Sequence, residues 1–251
     1  MHLGYEASIA LAVALRKDVS RARLDRSLEL AVCPSATALA AVGRELARTN
    51  IRLGAQDVFW ADKGAYTGSV AVSQLSELGC TLVIVGHSER RRYLRETDDD
   101  VNRKVRAVLL AHLIPIICVG ETLEPRRQQT ADLTVMTQVI AALHGIPLEQ
   151  KQRVIIAYEP VWVIGTGHGI VPREADHMSQ VVRQALIDLY PLEVVERQFR
   201  IIYGGSVDHT NIRDFLTLPL LSGALVGGAS VQLPKILPLL EQVASYEHGL
   251  D

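Results

Sequence analysis

The sequence predicts an α/β fold, a (β/α)8 barrel lacking its first β-strand, and three observations carry that expectation. Short apolar runs that suit buried strands alternate with segments of helical spacing, and no hairpin signal separates successive runs. Several runs are continuously apolar, as in parallel strands covered on both faces. Polar and glycine-rich residues collect after the strand ends, where parallel α/β folds build their sites. This repeat leaves an open doubly wound sheet and a closed barrel both available. Eight helices against seven strands, the unmatched helix coming first, favour the barrel. The 251 residues fit one such domain, spanning 1–251 and truncated at its N-terminus.

Taken in order, residues 5–18 carry Ile9, Leu11, Val13 and Leu15 among several alanines, which suits a helix lying on a flat surface. Residues 28–33 (LELAVC) read as a strand, and Pro34 and Ser35 lead into a helix with Leu39, Val42 and Leu46. Residues 51–53 begin a short strand before the loop from Gly54 to Gly68 (GAQDVFWADKGAYTG), long enough to be functional or an interaction arm. Residues 69–79 are helical, stopped by Gly79. Residues 81–85 (TLVIV) form a strand that runs into Gly86, His87, Ser88 and Glu89. Thr97 caps a helix whose first turn holds Asp98, Asp99 and Asp100, an acidic run that matches the helix dipole better than a metal site. Residues 113–119 follow as a strand, although Pro115 is awkward in a central one. A helix covers 131–143, another 173–190, a strand 199–203, a short helix 211–216, a brief strand 224–226 and a closing helix 231–246.

The densest stretch is RVIIAYEPVWVIGTG, residues 153–167. Val154, Ile155 and Ile156 form a buried-looking run that ends at Glu159, and Pro160 biases Glu159 away from helix, so the carboxylate stands at a strand mouth. Residues 161–164 are too apolar for an idle surface loop, and Gly165 and Gly167 supply permissive backbone. The segment reads either as a lid that shuts water out or as a second buried strand with a glycine-rich turn. His87 follows the TLVIV strand, and Gly204, Gly205, Gly227 and Gly228 free backbone N–H groups that, with the Ser206 hydroxyl, can cradle a phosphate. A lone His, Glu or Gly pair is usually structural. An imidazole, a carboxylate, a lid and a phosphate nest at one barrel mouth together match proton abstraction beside a carbonyl.

Composition excludes other classes. A net charge of −2 gives no electrostatic reason to expect nucleic acid or an anionic membrane as partner, and no apolar run reaches transmembrane length. Cys33, Cys80 and Cys118 are odd in number and lack the spacing of a zinc site or disulfide framework, which fits a reducing cytoplasm. Residues 8–15 (SIALAVAL) imitate a signal-peptide core, but Glu6 stands before them and no basic segment does, so export is not expected.

At these motifs the chain resembles the triosephosphate isomerase family. GHSERR at 86–91, AYEPVWVIGTG at 157–167, YGGS at 203–206 and GALVGGAS at 223–230 are similar to the family's four hallmark segments. The Gly54 to Gly68 loop resembles its dimer loop, and CVGET at 118–122 its fifth strand end. The resemblance implies a TIM barrel that interconverts dihydroxyacetone phosphate and D-glyceraldehyde 3-phosphate through an enediolate, in glycolysis and gluconeogenesis, without metal or organic cofactor. It implies Glu159 as the base and a neutral His87 as the group that polarises the carbonyl, an assignment for which this family is itself the standard illustration. Gly165, Ser206, Gly227 and Gly228 match its phosphate-binding positions, and Ile164 and Leu225 the apolar residues that press on the base once the lid shuts. Tyr66, Thr67 and Gly68 match the loop tip that enters a neighbouring subunit, so a homodimer is implied, with a small phosphorylated triose as the other partner.

The chain departs from the family at its start, where Met1, His2, Leu3 and Gly4 resemble the continuation of the family's chain directly after a first strand ending Asn-Trp-Lys. The expectations are a native protein that extends upstream, or a real truncation, with the strands at 28–33 and 224–226 left with unpaired edges. Glu89 would lack a lysine partner, which Arg90 to Arg92 could only partly replace. Val163 stands where the lid usually has Ala, His168 where it often has Lys, and Ser69 where Glu is common. The rival readings are another phosphate-binding barrel of the indole-glycerol-phosphate lyase or epimerase kind, which leaves the His87, Glu159 and lid sequence unexplained, and a noncatalytic phosphate-binding relative.

Overall fold

A computed structural model describes residues 2–163 and 169–247, and within them seven strands make one parallel sheet in chain order. Helix α1 (Tyr5–Arg21) opens the chain, followed by β1 (Ala31–Val32), α2 (Leu39–Leu46), β2 (Arg52–Ala55), α3 (Val72–Glu77), β3 (Cys80–Val85), α4 (Ser88–Leu94) and α5 (Asp98–Leu110). The second half runs β4 (Ile114–Val119), α6 (Leu123–Arg127), α7 (Ala131–Leu143), β5 (Val154–Tyr158), α8 (Pro172–Leu189) and α9 (Leu192–Gln198). It ends with β6 (Phe199–Tyr203), α10 (Ile212–Leu216), β7 (Leu221–Ala224) and α11 (Leu233–Glu247).

Strand order without a reversal removes the doubly wound alternative, which needs a switch point. The sheet is curled. Leu82, Ile84, Ile116, Cys118 and Ala157 meet in a small inner cluster, while the alternate residues Val83, Val85, Ile117, Val119, Ile156 and Tyr158 join the larger core between sheet and helices. Register places Ile84 opposite Ile116 and Cys118 opposite Ala157, so inward side chains stack in layers across neighbouring strands. Outside, α1 packs on both α2 and α11, and the first and last helices of the ring thus touch. Gly54 marks a register irregularity between β2 and β3, and a Cβ there would lie 2.3 Å from Leu82 and 2.7 Å from Cys33.

Several expectations shift. The strand expected over 28–33 shortens to Ala31–Val32, and the one expected over 224–226 lies at Leu221–Ala224. Each stands at an end of the strand order and, among the described residues, has a ladder partner on one side only, which shortens the run that qualifies as strand. Eleven helices appear among the described residues instead of eight, the additional ones being α4, α6 and α9. Helix α3 starts at Val72, since Ala71 is still extended and gives its N–H to Gln74 Oε1 at 2.9 Å. Pro115 does sit in the central strand β4, as its second residue, opposite Val83. Thr97 caps α5 as expected, accepting from Asp100 N at 3.2 Å while Asp100 accepts from Thr97 N at 2.9 Å. Among the described residues no helix is long and apolar enough to cross a membrane.

Candidate active site

Glu159 follows β5 directly and is held at the strand mouth by backbone bonds to both sides. Its N–H donates to Val119 O at 2.7 Å, and Gly204 N donates to Tyr158 O at 2.7 Å. The strands converge so closely there that a Cβ on Gly120 would lie 1.7 Å from Glu159 O, and one on Gly204 2.9 Å from Glu159 Cγ. Glycine is required at both places, and the carboxylate is thereby buried, with 2 % of its surface exposed.

That carboxylate meets His87, which caps α4 after β3. Glu159 Oε1 lies 3.0 Å from His87 Nε2, and Glu159 Oε2 accepts from Ser88 N at 2.9 Å. On the other side of the ring, Glu89 N donates to His87 Nδ1 at 3.3 Å. An Nδ1 that accepts leaves Nε2 as the N–H donor, aimed at Glu159, in a neutral imidazole. Two influences compete on this ring. Burial disfavours its charge, but the hydrogen bond and charge of Glu159, helped by Glu89, outweigh burial and Arg90 and carry its pKa above the usual value of 6.5. With Glu159 moved away, the α4 N–H and burial remain and favour the neutral ring.

The other expected residues gather at the ends of β6 and β7. Ser206 is half-buried, and its carbonyl accepts from Asn211 Nδ2 at 3.2 Å. Gly227 and Gly228 are exposed, and a Cβ on either would meet nothing within 4 Å, which leaves open room beside their backbone. Leu225 leans on the inner cluster, and its N–H donates to Tyr203 O at 2.8 Å. Gly165, Ile164 and His168 lie outside the described residues, and so does most of the segment read as a lid.

Sequence reasoning missed the supports of this site. Glu121 is fully buried after β4 and accepts from Tyr158 OH at 3.2 Å and Trp162 Nε1 at 2.9 Å, with Arg126 Nη1 at 3.5 Å. Arg126 also pairs with Glu174, and its guanidinium lies 4.3 Å from the Trp162 ring centroid. Burial raises the Glu121 pKa in spite of those donors. Only the position of Glu121 in CVGET, at a strand end, signalled it. A second network lies under His87. Lys104 Nζ, itself buried, reaches Asp57 at 2.6 Å and Glu96 at 2.8 Å, Arg90 reaches the same two carboxylates, and Glu96 Oε1 accepts from Gly86 N at 3.0 Å. Arg90 is thus engaged with Asp57 and Glu96, and Arg91 with Asp98, instead of standing in as partners of Glu89. Glu89 is exposed beside His87 Nδ1 at 3.8 Å.

A parallel barrel with an imidazole and a carboxylate in contact at its strand mouths, next to glycine-rich strand ends, has the make-up of a barrel enzyme that moves protons on a small anionic substrate. The family model described as triosephosphate isomerase matches residues 1–243. Relatives named triosephosphate isomerase include that of Chloroflexus aurantiacus, 46% identical over 84% of this chain and 84% of the relative, and that of Carboxydothermus hydrogenoformans, 39% identical over 94% of each. The crystal structure of triosephosphate isomerase from Bartonella henselae superposes with a TM-score of 0.84 at 31% identity, covering 97% of this chain and 95% of that one. The chain belongs to the triosephosphate isomerase family.

Proposed function

We propose that this chain interconverts dihydroxyacetone phosphate and D-glyceraldehyde 3-phosphate with Glu159 as the base and His87 as the electrophile. The observation that carries the reading is the His87–Glu159 contact of 3.0 Å at the mouth of adjoining strands. The carboxylate is engaged by His87 and Ser88 N–H, so substrate must displace it from both before it can reach a carbon. Its departure frees Nε2–H to donate to the substrate carbonyl and leaves the ring neutral, as the role requires. Glu159 then moves a proton between the two carbons, and the enediolate oxygens share protons with Nε2. Backbone N–H groups at Gly227 and Gly228, the Ser206 hydroxyl and Gly165 hold the phosphate. Glu121 ties Trp162, and with it the start of the 161–167 segment, to the end of β4, which supports reading that segment as a lid.

The same reading includes a homodimer through the Gly54 to Gly68 loop, supported by the exposed Tyr66 against Phe59 and by Asp57 fastened to the Lys104 network. It also includes a cytoplasmic location, supported by three free cysteines. The noncatalytic alternative is disfavoured, since the two reacting side chains are present and in contact. The test is isomerase turnover by the purified chain beside Glu159→Ala. Turnover that falls about 10²–10⁴-fold in the variant is expected of a general base. Equal rates in the two proteins, or none in either while a substrate analogue still binds, would overturn the reading.

A further inference from the structure

A cleft of about 750 Å³ opens where α6, the start of α7 and the start of α8 come together, a size typical of small-molecule sites. Arg126, Asp132, Arg173, Glu174 and His177 stand around it, and neither His87 nor Glu159 lines it. Most of these groups already have partners. His177 Nε2 lies 2.9 Å from Asp132 Oδ2, which ties α8 to α7, and Arg126 pairs with Glu174. Arg173 is exposed and has no ion-pair partner among the described residues.

Arg126 is held on a second side as well. Its Nη1 lies 3.5 Å from Glu121 Oε1, and its guanidinium lies 4.3 Å from the Trp162 ring centroid. Arg126 thereby joins Trp162, before the 163–171 segment, to Glu174, after it. Glu174 lines the cleft, whereas Glu121 and Trp162 do not, so the pair with Glu174 is the one that a ligand in the cleft can exchange. Ala131, Val171 and Met178 add an apolar wall.

We infer that this cleft binds a small dicarboxylate with a short apolar spacer, one carboxylate taking the place of Glu174 at Arg126 and the other pairing with Arg173. Guanidinium groups match carboxylates in shape and charge, and the exchange at Arg126 replaces like with like. An anion of higher charge would be repelled by Asp132 and Glu174, which stay on the rim. The spacer lies against Ala131, Val171 and Met178. Binding releases α8 from Arg126 while Trp162 stays on Glu121, so the two flanks of the 163–171 segment are no longer joined. The site stands apart from the isomerase reading, and its effect on turnover rests on that reading.

The test titrates the isotope-labelled chain with succinate and, as a control, with butyrate, which has a single carboxylate. NMR follows the indole N–H resonances of Trp60 and Trp162, the two tryptophans of the chain. The inference expects a saturable shift of the Trp162 resonance, and binding at least about tenfold weaker for butyrate and for succinate on Arg173→Gln. Glu174→Gln removes the internal competitor and should bind succinate about two- to fivefold more tightly, the worth of one partly exposed ion pair. Saturating succinate should lower kcat/KM by the same factor of about two to five, and should leave that of Arg173→Gln unchanged. No saturable shift, equal binding of butyrate, or undiminished binding to Arg173→Gln would overturn the site. A shift with unchanged turnover, or inhibition that persists in Arg173→Gln, would overturn its coupling to the 163–171 segment. A chain without turnover would overturn the isomerase reading instead, and the resonance shifts would still decide the site.

Discussion

The mouths of β4 and β5 each present a buried glutamate, and the two differ in how they are held. Glu121 has three side-chain donors around it, from Tyr158, Trp162 and Arg126. Glu159 has one backbone donor, Ser88 N–H, and one ring nitrogen, His87 Nε2. A carboxylate fixed from several directions cannot leave without stranding the Tyr158 hydroxyl and the Trp162 N–H. A carboxylate held by two can be released by a substrate that takes their place. Similar burial therefore suits one group to a supporting task and leaves the other releasable, as the proposed base must be.

The largest effects that can break this comparison are expected from truncation to alanine. Glu159→Ala should remove about 10²–10⁴ of turnover while lowering the unfolding free energy by only about 1–3 kcal/mol, the cost of leaving the Ser88 N–H unpaired. Glu121→Ala should cost more stability, about 2–6 kcal/mol, by leaving the Tyr158 and Trp162 donors unpaired at about 1–3 kcal/mol each, while Arg126 keeps Glu174. Denaturant melts of the two proteins decide it, and equal losses would mean that the two sites are held alike. Glu121→Gln keeps an acceptor for Trp162 and should cost about 1–3 kcal/mol, less than the alanine. A loss as great as that of the alanine variant would shift the weight from the hydrogen bonds to the charge.

The smallest expected effect is a pH slope. The His87 pKa is raised by Glu159, so their pairing adds stability that is fully present below the ordinary value of 6.5 and is lost as pH rises through the folded value. The chain should therefore lose some stability as pH rises above about 6.5, and Glu159→Gln should flatten that slope. A slope unchanged in the variant would show that Glu159 is not what raises His87.

Much of the site was legible because its signals are local. Pro160 after an apolar run placed Glu159 at a strand end, Thr97 with Asp100 announced a helix start, and the glycines after FRIIY and ALV marked backbone left open to a ligand. These depend on the conformations of neighbouring residues, which the chain states directly. Glu121 and Lys104 gave no such signal. Glu121 reads as one more polar residue after a strand until Trp162, 41 positions away, arrives beside it. Lys104 reads as a solvated helix charge until Asp57 comes to it across 47 residues.

By itself the sequence determined the alternation of strand and helix, the parallel sheet, the family motifs and the candidate site residues, since periodicity and turn chemistry act over a few residues. Only the tertiary structure decided that His87 Nε2 and Glu159 touch, that α4 fixes the ring through Nδ1, that Arg90 serves Asp57 and Glu96, and that β1 and β7 are short. Those outcomes rest on contacts between distant segments. Ser88 and Glu159 stand 71 residues apart, and no local preference of either can state the 2.9 Å bond between them.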